Sequence, residues 1–259
     1  MLPGYLRGSS KVRALLAFFT ALPVSDRGAS LEDAARRAYL LPLVGLLTGL
    51  FGAAFLLLAT AIPPGVAATL GLGAALLAAG LHHTDGVMDI GDALMVRGSP
   101  ERRREILKDS RVGVGAVGAL FVVYGPAIAA LAALAEISPT VAAVALLTGE
   151  VVARSTMLLL LLFGKPADAN SSSVYFVRSL KGTSRRYAAL VLALLVPSLV
   201  ALPLGWPTVL VGLAATVVTA IFALALGKGA FRGISGDASG AAGEMARTAL
   251  LVSLSGLLL

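Results

Sequence analysis

The residues best suited to chemistry in this 259-residue sequence are three aspartates in the stretch HHTDGVMDIGDAL, at positions 82–94. Asp85, Asp89 and Asp92 are spaced i, i+4 and i+7, so on a helix they form one narrow stripe. Three ionised carboxylates this close repel one another where little water screens them. A hard divalent cation would neutralise them, and Mg²⁺ favours carboxylate oxygens together with substrate phosphates. The stripe therefore predicts a magnesium site, with a solvated helix end as the alternative explanation.

Two histidines directly precede the stripe. His82 and His83 are neighbours, so on a helix at most one of them faces the same site as the aspartates. Either could ligate a metal, shuttle a proton or lie at the level of the lipid headgroups. We take His83 as a candidate proton acceptor in catalysis, with a carboxylate of the stripe as the alternative.

The next polar cluster is KDSR at positions 108–111. It adds a fourth carboxylate, Asp109, between two cations, Lys108 and Arg111, that are suited to gripping a pyrophosphate. The GVGAVG that follows matches the glycine pattern of dinucleotide-binding loops. No predicted strand precedes it and an apolar segment follows, so small residues for helix packing explain it better.

Further polar residues lie later in the chain. Asp237, in GISGDASGA, either caps a helix or supplies a further metal ligand, and its spacing slightly favours the ligand. Glu150 and Arg154 are spaced i, i+4 inside an apolar segment, which is typical of a buried compensating pair. For Arg154, a role in chemistry is an equally good interpretation.

The segments around these clusters are far more apolar than those of a soluble protein. Hydrophobic residues make up 58% of the chain and the mean hydropathy is +0.90, against about 45–50% apolar residues in soluble domains. Since lipid-spanning segments of this kind are helical, we predict an all-α, polytopic integral membrane protein. The absence of cysteine excludes disulfides and thiolate metal sites. We place about seven transmembrane helices near residues 39–62, 65–84, 114–135, 139–163, 187–204, 208–227 and 238–259.

The basic residues are distributed very unevenly along the chain. Of the 21 Lys and Arg, 20 lie in residues 1–37, 97–111, 165–186 and 228–247, the exception being Arg154. The positive-inside rule then places the long loops in the cytoplasm. The net charge of +7 therefore bears on topology and anionic lipid, and we expect no nucleic-acid partner.

These features predict one helical domain over residues 1–259, in the plasma or inner membrane. Its predicted active-site loops, 85–113, 165–186 and 228–247, face the cytoplasm. The apolar stretch at 14–24 is too short to span, so we expect an N-terminal interfacial or re-entrant helix there. The sequence leaves a homo-oligomer open.

The order of these motifs resembles the cobalamin synthase family, the adenosylcobinamide-GDP ribazoletransferases. The resemblance covers most of the chain, and D-G-x-x-D-x-x-D followed by K-D-x-R is its most specific part. The segments that carry it are FFTALPV (18–24), LPLVGLLTG (41–49), HHTDGVMDIGDAL (82–94), KDSRVGVGAVG (108–118), AR (153–154) and GISGDASGA (233–241).

The resemblance implies a Mg²⁺-dependent membrane transferase of substituted phosphate groups. Such an enzyme joins adenosylcobinamide-GDP to α-ribazole or its 5′-phosphate, releases GMP and forms adenosylcobalamin or its 5′-phosphate. It implies roles for the following residues: Asp85, Asp89 and Asp92 in metal binding, with Asp109 and Asp237 as companions, and Lys108, Arg111 and Arg154 in phosphate binding.

Three other classes are alternatives. A CDP-alcohol phosphotransferase would need an Ala-Arg that DGVMDIGD lacks, and a membrane prenyltransferase would need a second aspartate motif. A transporter would distribute its intramembrane charges across both faces, whereas these charges crowd one face.

Overall fold

The computed structural model describes residues 5–24, 30–58, 61–169 and 171–259, with the backbone alone over 5–10. This part of the chain is built of α-helices joined by short connections, with 3-10 turns at Ala38–Leu40 and Leu202–Leu204. The helices are α1 (Tyr5–Phe19), α2 (Leu31–Ala35), α3 (Leu41–Leu58), α4 (Pro64–Ala78), α5 (His82–Met95), α6 (Pro100–Ile106), α7 (Val114–Ile137), α8 (Pro139–Phe163), α9 (Ser173–Ser179), α10 (Thr183–Ala201), α11 (Trp206–Phe231) and α12 (Gly236–Leu258).

Helix α8 is the centre of the molecule. Ser138 caps it by accepting a hydrogen bond from the Thr140 N–H, and Pro139 occupies its first turn, where a missing N–H costs little. Almost every side chain from Ala142 to Leu162 is buried, as expected of a helix that is apolar on all faces. Helices α3, α7, α10, α11 and α12 pack around it.

The predicted membrane class is confirmed by five helices long and apolar enough to cross a bilayer. They are Ala38–Leu58, Val114–Ile137, Pro139–Phe163, Thr183–Leu204 and Trp206–Phe231, and each coincides closely with a predicted span. Their agreement follows from the simple requirement of about 20 apolar residues for the hydrocarbon core.

The span predicted at 65–84 has a different form. Helix α4 ends at Ala78, and α5 leaves it at an angle of 98°. The turn is made by Gly80 and Leu81, whose φ angles of 78° and 60° lie in the left-handed region, which glycine adopts without strain. Together α4 and α5 are a broken span or a re-entrant loop, so the polar stripe starts a helix of its own.

Both ends of the chain also differ in detail from the predictions. The N-terminal helix α1 ends at Phe19, ahead of the predicted end at residue 24. Pro23 also disfavours helix at Leu22, the residue before it. The predicted seventh span, 238–259, is the helix α12. Its first half carries Asp237, Glu244 and Arg247, so it is not among the five apolar helices.

Three polar segments between the helices contact one another. Arg104 of α6 donates to the Ala167 carbonyl at 2.8 Å, and Arg232 pairs with Glu101 at 2.9 Å. The Ile234 N–H donates to the Lys165 carbonyl at 2.8 Å. Segments near 97–111, 165–186 and 228–247 therefore lie on the same side of the molecule.

Candidate active site

The three aspartates of the stripe line one cavity of about 300 Å³. Asp85 is exposed, while Asp89 and Asp92 are half-buried on the following turns of α5. Lys108, Asp109 and Arg111 of the next loop line the same space. We call this space the acidic cavity.

Asp92 differs from the other two aspartates in its hydrogen bonds. Its carboxylate accepts from the Gly113 N–H at 2.7 Å and from the Ala116 N–H at 2.8 Å. These donors are free backbone groups at the start of α7, where a negative charge is favourable. A Cβ on Gly113 would lie 2.5 Å from the Asp92 Oδ1, so a larger residue there would displace the Asp92 carboxylate from these donors. Asp92 thus fastens α5 to the N-terminus of α7.

The carboxylates of Asp85 and Asp89 make no hydrogen bond or ion pair with the residues that the structure describes. Their charges are therefore uncompensated by a neighbouring side chain. Two free carboxylates on successive turns are the oxygen donors that Mg²⁺ prefers, with water and phosphate completing its coordination.

The predicted metal set does not form a closed cage of side chains. Among the described residues, no three His, Asp or Glu side chains are grouped so that they could hold one ion. Asp85 and Asp89 fit an open site of one or two carboxylates, the form in which Mg²⁺ commonly bridges protein and phosphate. The donor chemistry is thus compatible with Mg²⁺ bound together with a phosphate-containing substrate.

Asp237 lies across from the stripe at the start of α12. The cap of α12 is Ser235, which accepts from the Ala238 N–H, so Asp237 is not the capping residue. A Cβ on Gly86 would lie 2.7 Å from the Asp237 carbonyl oxygen, so the DG pair of α5 lets the two helices touch. Asp237 and Asp85 line a common second cavity.

Asp109 and Arg111 form a bidentate ion pair. The Arg111 Nε donates to Oδ1 at 3.0 Å and its Nη2 to Oδ2 at 2.6 Å. Hydrogen bonds from the Arg111 side chain and backbone lower the pKa of Asp109 to about 2, so this carboxylate is ionised at every physiological pH. Lys108 reaches the opposite loop and pairs with Asp168 at 3.1 Å.

His83 lies beside the acidic cavity, not in it. Its side chain is 7% exposed, and its Nε2 has no hydrogen-bond partner among the described residues. Its ring is 6.1 Å from that of Phe19, and both line the second cavity together with the exposed His82. His83 therefore shares the second cavity with Asp85, whereas Lys108 and Arg111 share the acidic cavity with it.

Arg154 lies in the packed core and lines neither the acidic cavity nor the second cavity. Its side chain is fully buried and its Nη2 is 3.7 Å from the Glu150 Oε2. This geometry agrees with the buried-pair interpretation, but none of the three guanidinium nitrogens has a hydrogen-bond partner among the described residues. The role of Arg154 in phosphate binding stays a prediction. Glu150 also accepts from Thr48 Oγ1 at 3.0 Å and pairs with Arg247.

A chain of hydrogen bonds that sequence reasoning missed connects this pair to the site. Thr84, next to Asp85, shares a hydrogen bond of 3.0 Å with the Tyr124 hydroxyl. Tyr124 donates to Glu244 at 2.9 Å, and Glu244 pairs with Arg247. The i, i+3 spacing of Glu244 and Arg247 in a largely apolar helix was the available signal.

Comparisons with known proteins place this geometry in context. The model of the cobalamin-5-phosphate synthase family matches residues 11–255. An adenosylcobinamide-GDP ribazoletransferase of Halorubrum lacusprofundi is 37% identical over 254 residues, covering 93% of this chain and 94% of the relative.

Relatives with the same name are similar at comparable levels. That of Methanococcoides burtonii is 30% identical over 253 residues, covering 94% of this chain and 90% of its own. That of Saccharolobus islandicus is 35% identical over 174 residues, covering 67% and 68%. No solved structure matches the chain.

Proposed function

This chain belongs to the cobalamin-5-phosphate synthase family, and we propose that it transfers an adenosylcobinamide-phosphate group from adenosylcobinamide-GDP to α-ribazole or α-ribazole 5′-phosphate. The products are GMP and adenosylcobalamin or its 5′-phosphate. The family match favours this reaction over the CDP-alcohol, prenyl-transfer and transport alternatives.

The observation that carries the proposal is that side chains of both charges line one cavity. Asp85 and Asp89 offer free carboxylates on one wall, and Lys108 and Arg111 offer cations on the other. In phosphoryl transfer the protein has little covalent chemistry to perform. It lowers the barrier mainly by positioning the reactants and neutralising their charge. A cavity with both signs is suited to that task.

The bonds change in a single exchange at phosphorus. A ribose hydroxyl of the acceptor attacks the phosphate nearest the corrinoid, forming a new P–O bond. The bridging P–O bond of the pyrophosphate breaks, and GMP leaves with the electron pair. The hydroxyl proton passes to a carboxylate of the acidic cavity that does not hold the ion.

Each charged side chain has a defined task in this reaction. Arg111 turns from Asp109 to the pyrophosphate, which accepts the same bidentate geometry as a carboxylate. Lys108 neutralises charge on the departing phosphate. Asp85 and Asp89 would hold Mg²⁺, with Asp237 as a further candidate ligand, and the ion when bound supplies neutralisation of the pyrophosphate charge.

We further propose that the reaction takes place at the cytoplasmic face of the plasma membrane. The polar segments of the site contact one another on one side of the helices. Of the 21 Lys and Arg, 14 lie on those segments and six more lie in residues 1–37, which is the charge distribution of a cytoplasmic face.

The direct test is GMP release by purified protein in detergent or liposomes. Adenosylcobinamide-GDP, α-ribazole and Mg²⁺ are supplied together, and each is omitted in turn. We expect GMP and the joined corrinoid in equal amounts only when all three are present. GMP release without α-ribazole would identify a hydrolase and contradict the proposal.

A further inference from the structure

Two other cavities each share charged lining residues with the acidic cavity. One, the aromatic cavity, is lined by Phe18, Phe19, Phe176 and His83 and has a volume of about 430 Å³. It shares Asp85 with the acidic cavity.

The other, the apolar groove, runs along α5 and α7 and has a volume of about 1030 Å³. It shares Asp92, Asp109 and Arg111 with the acidic cavity, and it has no lining residue in common with the aromatic cavity. The charged site therefore separates a smaller cavity from a larger one.

The aromatic cavity has the walls of a site for a flat ring. The rings of Phe18 and Phe176 are 5.5 Å apart, and those of Phe19 and Phe176 are 5.6 Å apart. Phe18 is 41% exposed, so part of its ring is free to stack against a ligand. Aromatic side chains are the general platform on which proteins stack nucleobases, whose π-faces they match.

A polar group stands at the buried wall of this cavity. His83 is more than nine-tenths buried, and its Nε2 has no partner among the described residues. Ligand sites typically combine apolar and aromatic walls with a few such polar groups that fix orientation. An unpartnered buried imidazole beside three aromatic rings is therefore an independent indication of a ligand.

The apolar groove has a different character. Its walls are aliphatic side chains and glycines such as Leu94, Val122 and Gly118, with no aromatic ring. Its volume, at the upper end of the range of about 300–1,000 Å³ for ligand pockets, suits a bulkier substrate than a nucleoside.

We infer that the aromatic cavity binds the aromatic base of the nucleoside acceptor, and that the apolar groove binds the macrocycle of the donor. This assignment rests on the proposed function and specifies which substrate lies on which side. It brings the acceptor's ribose to Asp85 and the donor's pyrophosphate to Arg111. The ribose hydroxyl then reaches phosphorus from the side of Asp85. In-line displacement requires the bridging oxygen that leaves with GMP to lie on the opposite side of phosphorus, toward Arg111.

Substitutions that fill each cavity separate the two substrates. Ala17 lines the aromatic cavity, so Ala17→Phe should occupy the space of the base. Gly118 lines the groove, and nothing lies within 4 Å of a Cβ built there, so Gly118→Phe should occupy the space of the macrocycle. We expect Ala17→Phe to raise the KM for α-ribazole at least tenfold and leave that for adenosylcobinamide-GDP unchanged, and Gly118→Phe to do the reverse.

Milder variants guard against misfolding. Phe18→Leu removes a stacking face and should raise the KM for α-ribazole by roughly tenfold, the scale of losing one base–aromatic stack. Phe222→Leu is the matched control, since Phe222 is 53% exposed on α11 and lines neither cavity. It should leave both KM values unchanged.

A binding measurement makes the outcome independent of turnover. The fluorescence of the benzimidazole ring reports α-ribazole binding without donor, and Ala17→Phe and Phe18→Leu should weaken it while Gly118→Phe does not. If the wild-type protein turns over but Ala17→Phe and Phe18→Leu leave both α-ribazole KM and binding unchanged, the cavity assignment is overturned and the proposed function stands. If the wild-type protein binds α-ribazole through these residues yet releases no GMP, the proposed reaction fails and the base site remains.

Discussion

At the scale of single residues, three aspartates that are equivalent in the sequence have different tasks in the structure. Asp85 and Asp89 are free carboxylates, whereas both oxygens of Asp92 accept backbone hydrogen bonds from α7. Mutual repulsion makes the free pair unfavourable for folding in the absence of a cation. We therefore expect Asp85 and Asp89 to be needed for activity and Asp92 for the stability of the fold.

Replacing each aspartate by asparagine tests that separation. Asp85→Asn and Asp89→Asn should lower kcat at least about a hundredfold, the scale of losing a preorganised charge at the reacting phosphate, and leave the Tm in detergent unchanged or higher. Asp92→Asn should cost about 1 kcal/mol of stability through its weakened hold on the N-terminus of α7. GMP release measures the loss of activity, and thermal unfolding in detergent measures the loss of stability. Turnover within a few-fold of the wild type for Asp85→Asn and Asp89→Asn at limiting Mg²⁺ would exclude a metal role.

Arg111 offers a second test at this scale. Its guanidinium group already binds Asp109 in bidentate geometry. A lysine side chain cannot bind a pyrophosphate in that geometry. Arg111→Lys should raise the activation free energy by about 2–3 kcal/mol, roughly a hundredfold in rate. The measurement is GMP release at saturating corrinoid.

The control for Arg111 is Arg102→Lys. Arg102 pairs with Glu105 on a solvated face of α6, where both side chains are more than half exposed, so its replacement should change little. Equal, mild losses of rate in both variants would mean that the basic loop contributes only its overall positive charge, and that Arg111 makes no specific contact with the pyrophosphate.

The grouping of these candidate residues around one cavity could be predicted from sequence, but their hydrogen-bond partners could not. Like charges at i, i+4 and i+7 indicated a shared stripe because helical spacing is fixed. The hydrogen bonds of Asp92 to the N-terminus of α7 depend on how α5 crosses α7. This crossing cannot be predicted from residue spacing within one helix. Arg154 was ambiguous for the same reason, since its burial depends on Glu150, Arg247 and the packing of α3 against α8.

At the scale of elements, close helix contacts position the site. Gly86, directly after Asp85, lies against the backbone of Asp237, so α5 and α12 approach without intervening side chains. Straight apolar helices could be predicted by length, and five of the spans were. The bend between α4 and α5 could not, because hydropathy runs smoothly through 65–78 and gives no sign of the left-handed turn at Gly80 and Leu81.

Gly86→Ala tests whether this contact sets the geometry of the acidic cavity. Its Cβ would lie 2.7 Å from the Asp237 carbonyl oxygen, so the helices must separate, at about 1–3 kcal/mol for overpacking. We expect a lower Tm and at least tenfold lower kcat, since shifts of about 1 Å at a reacting site are that damaging. Gly73→Ala is the matched control, because its Cβ meets nothing within 4 Å in α4. If both variants behave alike, the contact has no special role.

At the scale of the whole molecule, a buried ionic network connects the core to the site. Glu150 holds Arg247 and lies near Arg154, and the hydrogen bonds continue through Tyr124 to Thr84 beside Asp85. Removing one member of such a buried set leaves an uncompensated charge, which costs about 3–5 kcal/mol. Glu150→Gln should therefore strongly lower the unfolding midpoint in detergent. Glu105→Gln, in an exposed pair, should not. Equal midpoints would show that the network contributes nothing.

The arrangement of the whole chain in the membrane follows from its charges and is the broadest prediction. The turns 61–65, 135–139 and 203–207 hold no Lys or Arg, so all three should lie outside the cytoplasm. Helix α4 has 15 residues and is only about 22 Å long, short of the roughly 30 Å hydrocarbon core. The bent pair α4 and α5 must then act together as one crossing to return the chain to the basic side.

Because the chain contains no cysteine, single introduced cysteines report this topology without background. Glu136→Cys lies in an outer turn and should react with a membrane-impermeant maleimide in intact cells. Lys181→Cys lies in a basic loop and should react only after permeabilisation. Leu259→Cys, at the end of α12, should react from outside if α12 completes a seventh crossing, and from inside if α12 returns along the bundle. Reaction of Glu136→Cys from the cytoplasmic side alone would overturn the arrangement, and with it the placement of the acidic cavity at the cytoplasmic face.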